Sequence, residues 1–316
     1  MPLHTKKIKS WLTQRINPDS SFELLSRFPS FFEIETVYGC NARCTMCPAV
    51  GGSKKIMTEA FFGRIAEQIA PQASHIRKVN LFRNGEPFLD PHLEERVRIL
   101  KDLGVQCVSI TSNMSLGMPD RVEALLRNGL DVIDISIDSI EKKTYEGIRK
   151  GLRFETVMNN ITDFITLRDK LGSHCLIRIR MVLQKSNQQQ WDSFRTFWTS
   201  KLAPGDTVLY HPIHNWGNQL NSFQAAIKPQ LIDYPCVSLW SLLPVLVDGT
   251  VPLCNIDYAS KVPLGDLNSQ TIAEIWNGQV LAKIRSDHLE GRRNMYELCK
   301  GCNVWEFPSH LREGQE

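Results

Sequence analysis

No long hydrophobic run and no large excess of either charge mark this sequence. Its most apolar stretch, Val237 to Val247, is broken by Ser238, Ser241 and Pro244. It falls well short of the roughly 20 residues that a membrane-spanning helix needs. Near the N-terminus Lys6, Lys7 and Lys9 are not followed by an apolar stretch with a small-residue cleavage site, so no secretory signal is read there. Trp11, Leu12 and Ile16 share a face at helical spacing, which favours a basic, packed first helix over an interfacial membrane helix. A formal charge of +3 leaves no basic footprint for a polyanion. Neither a membrane nor a nucleic-acid partner is expected, and internal repeats and low-complexity tracts are missing too. The remainder, 42% apolar, 22% charged and 9% aromatic over 316 residues, is globular composition with room for one large domain and a smaller one.

Short β-rich runs alternate with longer helix-period segments from Phe31 to Val182, the pattern of repeated β-α units. The strands are expected at Phe31–Val37, Lys78–Phe82, Gln106–Thr111, Val132–Ile137, Leu176–Leu183 and Thr207–His211. Helices are expected at Thr58–Ile69, His92–Leu103, Asp120–Arg127, Phe154–Leu171 and Gln188–Lys201, several opened by a cap-like Thr or Asp. The fold class is therefore α/β, a partial (β/α)6 TIM-like barrel followed by a small cysteine-ligated domain. In parallel barrels the chemistry sits at the C-terminal strand ends, where Tyr38 to Cys47, Arg83 to Pro87, Thr111 to Asn113 and Ser136 to Ser139 collect. The expected boundaries are 1–30 for an N-terminal helical extension, 31–214 for the barrel, 215–233 for a linker and 234–310 for the second domain. In the last, Asp248-Gly249 signals a hairpin, and a helix is expected from Thr271 to about Ile284.

Nine cysteines without a signal peptide argue for metal binding or redox chemistry in a reducing, cytoplasmic setting rather than a disulfide framework. Cys40, Cys44 and Cys47, with three and then two residues between them, follow the first strand directly. Three thiolates on one loop can hold three irons of a four-iron cluster and leave the fourth open to a ligand. A zinc site would want a fourth nearby ligand, and the nearest downstream histidine, His75, lies in another β-α unit. Cys236, Cys254, Cys299 and Cys302 form a second set, with 17, 44 and 2 residues between successive members. That set can fill either a four-iron cluster or a structural zinc, and spacing alone does not separate them. Cys107 and Cys175 are left over as small buried hydrophobes.

The Cys40–Cys47 loop resembles the signature of the radical S-adenosylmethionine (SAM) superfamily. The resemblance implies that the open iron chelates SAM and that a reduced cluster cleaves it to methionine and a 5'-deoxyadenosyl radical. Gly85-Glu86-Pro87 looks like the family's element that receives the methionine ammonium. Met46 in the loop, Asn113 at the third strand's end, Ser136 and Asp138 at the fourth, and Arg149 beyond it are the further SAM contacts so implied, Arg149 toward the carboxylate. The C-terminal cysteines, the Asp248-Gly249 turn, Leu264-Gly265-Asp266-Leu267 and Ile272-Ala273-Glu274-Ile275-Trp276 resemble the single-cluster SPASM form often called Twitch. Together these imply two [4Fe-4S] clusters, with the resemblance running from Phe32 to Trp305.

Several outcomes are open to such a protein. Oxidation, with the second cluster taking the electron, fits the likeness of these cysteines to 2-deoxy-scyllo-inosamine dehydrogenase-like enzymes. Epimerisation would use a cysteine hydrogen donor, for which Cys107 and Cys175 are the candidates. Peptide modification, including thioether crosslinking, is the third, and a two-zinc or iron-sulfur scaffold without turnover is the fourth. A small-molecule, sugar- or aminocyclitol-like substrate is the favoured expectation, with a flavodoxin- or ferredoxin-type electron donor. His211, His214 and Trp216 are candidates for holding that substrate.

Overall fold

The computed structural model describes residues 3–48, 54–217, 219, 234–300 and 302. It divides into two compact units, Ile34–Ile213 and the pair of segments Met1–Glu33 and His214–Glu316. Most of the expected linker 215–233, and residues 303–310 with Trp305, lie outside the described residues.

The chain opens with helices α1 (Leu3–Ile16) and α2 (Phe22–Arg27), the second capped by the Ser21 side chain on the Leu24 N–H. Ile8, Leu12 and Ile16 are the buried stripe of α1. Trp11 is only half-buried, its ring against that of Tyr234 at 5.0 Å. Strand β1 (Phe31–Ile34) follows, and the Phe31 N–H donates to the Ser241 carbonyl at 2.8 Å.

Within Ile34–Ile213 the chain forms two short strands, β2 (Val37–Tyr38) and β3 (Arg43–Cys44), then β4 (Lys55–Ile56) and α3 (Glu59–Ile69). The β-α units continue as β5 (Lys78–Asn80), α4 (Leu93–Asp102), β6 (Val108–Ser112), α5 (Pro119–Arg127), β7 (Val132–Ser136) and α6 (Lys142–Ile148). After the two-residue β8 (Arg149–Lys150) come α7 (Phe154–Leu171), β9 (Leu176–Leu183), α8 (Trp191–Thr199) and β10 (Thr207–Pro212). The long strands lie in the order β10-β9-β7-β6-β5. The ladders β5–β6, β6–β7, β7–β9 and β9–β10 are all parallel. This is the partial barrel of the α/β class. Alternation explains its core: Ile110, Ile133, Ile135, Ile177 and Ile179 are fully buried and lie between polar Ser109, Thr111, Asp134, Arg178 and Arg180. The polar set is paired inside, with Asp134 taking the Arg178 guanidinium at 2.6 and 2.9 Å across the β7–β9 register.

Sequence reading missed α6, which is only seven residues long and has a glycine in its last turn. Thr58 caps α3 through the Phe61 N–H, as its type suggests. Where one helix was expected from Gln188, a short 3-10 turn (Gln188–Gln190) precedes α8.

The C-terminal part holds β11 (Leu242–Val245), β12 (Thr250–Pro252), β13 (Pro263–Asp266), α9 (Ile272–Trp276) and α10 (Gln279–Leu289). Asp248-Gly249 makes the expected turn, with Gly249 at φ +95° and the Leu246 N–H on the Thr250 carbonyl at 2.9 Å. The ladder partner of β12 is nevertheless β13, paired antiparallel. The expected single helix from Thr271 is two, because the chain breaks at Asn277-Gly278. Thr271 and Glu274 close a reciprocal capping box at the start of α9. No described helix is long and apolar enough to cross a membrane.

Candidate active site

The first site is built where β2, β5 and β6 end. Gly39 and Gly85 form an isolated parallel bridge, and the Glu86 N–H donates to the Gly39 carbonyl at 3.1 Å. A Cβ on Gly85 would stand 2.2 Å from the Val37 carbonyl oxygen and 2.9 Å from that of Gly39, so only glycine fits this crossing. The crossing sets Glu86 against the end of β6. Its carboxyl accepts from the Ser112 hydroxyl at 2.7 Å, the Asn113 N–H at 2.9 Å and the Phe88 N–H at 3.3 Å. Pro87 opens the short turn Pro87–Leu89 that supplies the last donor.

The three-cysteine loop is anchored at both ends. The Asn113 side-chain amide donates to Asn41 Oδ1 at 3.1 Å and reaches Cys40 Sγ at 3.8 Å. On the other side β3 pairs antiparallel with β8, placing Cys44 opposite Arg149, and the Thr45 N–H donates to the Ile148 carbonyl at 2.9 Å. Gly151, at φ +90°, lets the chain turn beside Asn41. Arg149 Nη1 then lies 3.6 Å from Cys44 Sγ, while its Nε is 2.8 Å from Asp138 Oδ2. Met46 is buried within the loop, and Ser136 is half-buried at the end of β7.

The electrostatics of this corner ask for cations. Burial raises the Glu86 carboxyl to about 7, outweighing its three donors and the Arg149 charge. Burial also raises the Cys44 thiol, although the Arg149 guanidinium pulls it down. Thiols so placed bind as thiolates only when a metal repays the desolvated charge. The donor set fits an iron cluster with one position left to a ligand, and the buried carboxyl fits an ammonium.

The second site lies in the unit that ends the chain. Cys236, Cys254, Cys299 and Cys302 line one cavity, together with His288 and Arg293. Burial raises Cys236 to about 11 and Cys254 to about 12, and raises Cys299 further, each pushed up again by a neighbouring thiol. Among the described residues no three His, Cys, Asp or Glu side chains are drawn together as around a single ion. Four thiols facing a shared void fit a cluster that all four would hold.

The structure gathers Glu86, Asn113, Arg149 and the Cys40–Cys47 loop, but it does not gather every expected residue. Asp138 is fully buried and accepts the Val182 N–H at 2.6 Å through Oδ1, with Oδ2 turned to Arg149. It holds Arg149 in place rather than facing a cofactor. Cys107 and Cys175 immediately precede β6 and β9. They therefore sit at the N-terminal strand ends, opposite the end where Glu86 and Asn113 lie. His211 belongs to β10, whereas His214 and Trp216 fall in the other unit, their rings 4.4 Å apart. Sequence reading missed Ser112, Asn41, His288 and Arg293. Asn41 lay between two motif cysteines as an unremarked spacer, Ser112 lay within the strand-end cluster Thr111 to Asn113 without being singled out, and His288 and Arg293 carried no motif signal.

Comparison with known proteins follows the same division. Residues 34–179 match the radical SAM superfamily model, and residues 236–303 match the SPASM iron-sulfur cluster-binding domain. A GTP 3',8-cyclase of Chlorobaculum tepidum is 31% identical over 144 residues, 42% of this chain and 39% of that protein. One from Alkaliphilus oremlandii is 32% identical over 149 residues, 46% of each. The chain thus spans less than half the length of these curated relatives. A crystal structure of BtrN in complex with AdoMet and 2-DOIA superposes with a TM-score of 0.58 at 20% identity, covering 87% of this chain and 93% of that one. Native anSMEcpe with bound AdoMet and Kp18Cys peptide gives a TM-score of 0.64 at 17% identity, with 87% and 89% covered.

Proposed function

The chain belongs to the radical SAM superfamily and carries a SPASM-type iron-sulfur domain, and from that premise we propose that it oxidises a small, sugar- or aminocyclitol-like molecule at carbon. Its cofactors are two [4Fe-4S] clusters and SAM. When bound and reduced, the first cluster with SAM supplies a 5'-deoxyadenosyl radical that takes a hydrogen atom from substrate carbon. In this reading Cys40, Cys44 and Cys47 hold that cluster, and Arg149 and the Asn113 amide steady the thiolate charge beside it. Glu86 takes the methionine ammonium, its carboxylate oriented by Ser112 and Asn113. Ser136 and Met46 border the same ligand. Cys236, Cys254, Cys299 and Cys302 hold the auxiliary cluster.

The overall change is loss of one hydrogen atom from carbon, one proton from the neighbouring hydroxyl and one electron to the auxiliary cluster, leaving a ketone. The observation that carries this choice is the second cavity: four thiols lining one cavity can fill every iron corner and leave no open iron for substrate, which suits an electron acceptor. The BtrN structure, which holds AdoMet and 2-DOIA, supports a small-molecule substrate. Epimerisation loses its two named donors, since Cys107 and Cys175 stand at the opposite strand ends. A flavodoxin- or ferredoxin-type donor in the cytoplasm supplies the first electron.

Anaerobic purification followed by iron and sulfide determination tests this. About eight irons are expected in the wild type and about four in a Cys40, Cys44, Cys47 triple alanine variant, with dithionite-driven deoxyadenosine formation lost. Incubation with aminocyclitols should then yield ketone, and the recovered alcohol should carry no solvent deuterium at the reacting carbon. Deuterium there with no net oxidation would replace dehydrogenation with epimerisation, and turnover of peptides alone would replace it with peptide modification.

A further inference from the structure

One member of the second cavity has no part in the chemistry so far. His288, in the last turns of α10, is fully buried and lines the cavity with the four cysteines. Its Nδ1 accepts the Cys236 backbone N–H at 3.3 Å. An imidazole nitrogen that accepts a hydrogen bond carries no proton, so the ring is neutral and its one hydrogen sits on Nε2. That Nε2 is buried and has no hydrogen-bond partner in the protein. A buried donor left unsatisfied destabilises the fold unless something in the cavity accepts from it. The same cavity wall includes the guanidinium of Arg293, a residue only 2% exposed.

We propose that His288 donates a hydrogen bond from Nε2 to the auxiliary cluster and, with the Arg293 charge, raises that cluster's reduction potential so that it accepts an electron from substrate. The inference rests on the reading that the four cysteines hold a [4Fe-4S] cluster. Its physical basis is that a donor and a cation both favour the reduced cluster, which carries one more negative charge. His288 is a tuning residue: it supplies no ligand to iron, and its effect is read in the potential.

The test uses the anaerobic holoenzyme as wild type, His288→Phe and His288→Gln, with the auxiliary cluster followed by electron paramagnetic resonance at fixed poised potentials. Phenylalanine keeps the ring's shape without a donor, whereas the glutamine amide retains one. With eight irons kept, the reduced-to-oxidised ratio in His288→Phe should fall about tenfold, equivalent to about 59 mV for a one-electron couple. His288→Gln should stay within about threefold of wild type. An unchanged ratio in His288→Phe, or an equal fall in His288→Gln, overturns the hydrogen bond. Should His288→Phe lose its iron, histidine-specific ¹⁵N labelling of the wild type decides. Hyperfine coupling to the reduced auxiliary cluster supports the proposal, and none refutes it. A wild type with only about four irons would instead overturn the cluster assignment beneath it.

Discussion

The two cysteine sites differ in how the chain assembles them. Cys40, Cys44 and Cys47 sit within eight residues on one loop, with Cys40 exposed and the other two half-buried. Cys236, Cys254, Cys299 and Cys302 come from three separate stretches of chain and line one cavity. The first arrangement leaves a side open for a ligand, and its surroundings are a carboxyl and a guanidinium held by hydrogen bonds. The second leaves none, and its surroundings are a neutral imidazole and a guanidinium. Open coordination with a charged cradle suits binding and bond cleavage, whereas closed coordination suits passing an electron.

The largest effect should come from emptying one site and then the other. Cys44→Ala should remove about four irons and take deoxyadenosine formation below detection. A Cys236→Ala, Cys254→Ala double variant should also lose about four irons, yet keep deoxyadenosine formation within about tenfold while substrate oxidation falls at least a hundredfold. Iron content beside the two product assays separates these. Loss of deoxyadenosine formation in the second variant, with the first cluster intact, would erase the division of labour.

Two glycines sharpen the same contrast in stability. Gly85→Ala drives a methyl to 2.2 Å from the Val37 carbonyl oxygen, a backbone atom that cannot swing away. We expect a loss of about 3 kcal/mol, a fall in Tm of roughly 6–12 °C and weakened SAM binding. Gly265→Ala meets the Gln270 side-chain oxygen at 2.5 Å and Ile275 Cγ1 at 2.7 Å. These neighbours can adjust, so about 1 kcal/mol is expected and the first cluster should be untouched. Thermal unfolding of the two variants, with iron content, is the measurement.

Glu86 adds a pH dependence to the first site. Its carboxyl, ordinarily near 4.5, is raised to about 7 by burial. The folded state therefore binds the proton more tightly than the unfolded chain does. This stability is fully present below about 4.5 and is lost as pH rises to about 7, worth about 3 kcal/mol in all. Glu86→Gln should flatten that slope in the apoprotein. An ammonium beside the carboxylate reverses the preference, so wild-type SAM affinity should rise with pH toward about 7, and Glu86→Gln should bind roughly 10- to 100-fold more weakly at every pH. Denaturant unfolding of the apoprotein and calorimetric titration with SAM between pH 5 and 8 check both halves. A slope that survives in Glu86→Gln assigns it to another group.

Much of this was legible along the chain because it was local. The Cys40–Cys47 loop, Gly85-Glu86-Pro87 and the Asp248-Gly249 turn are each contained within a few residues, and strand Leu176–Leu183 and helix Phe154–Leu171 read directly from period two and period 3.6. What escaped depends on distant chain. Ser112 matters only because β6 ends against Glu86, and His288 only because α10 turns it toward Cys236. The partner of β12 escaped for the same reason. A turn signal at Asp248-Gly249 reports local geometry, but the choice of β13 is made by a strand arriving eleven residues later.

The smallest effect should come from the two cysteines that neither site uses. Cys107 and Cys175 precede strands that run toward the Glu86 end, and at about 3.3 Å per residue those strands carry the site roughly 15–25 Å away from them. Burial raises the Cys175 thiol above its ordinary range, which keeps it protonated and inert. Cys107→Ala and Cys175→Ala should therefore leave turnover and both clusters within about twofold of wild type, with Cys175→Ala costing about 1 kcal/mol from its packed position. Product ratios and solvent-deuterium incorporation at the reacting carbon should not change in either variant. A loss of turnover with eight irons retained would mean that one of these thiols acts on the substrate radical, and the assignment of chemistry to one end of the strands would have to be given up.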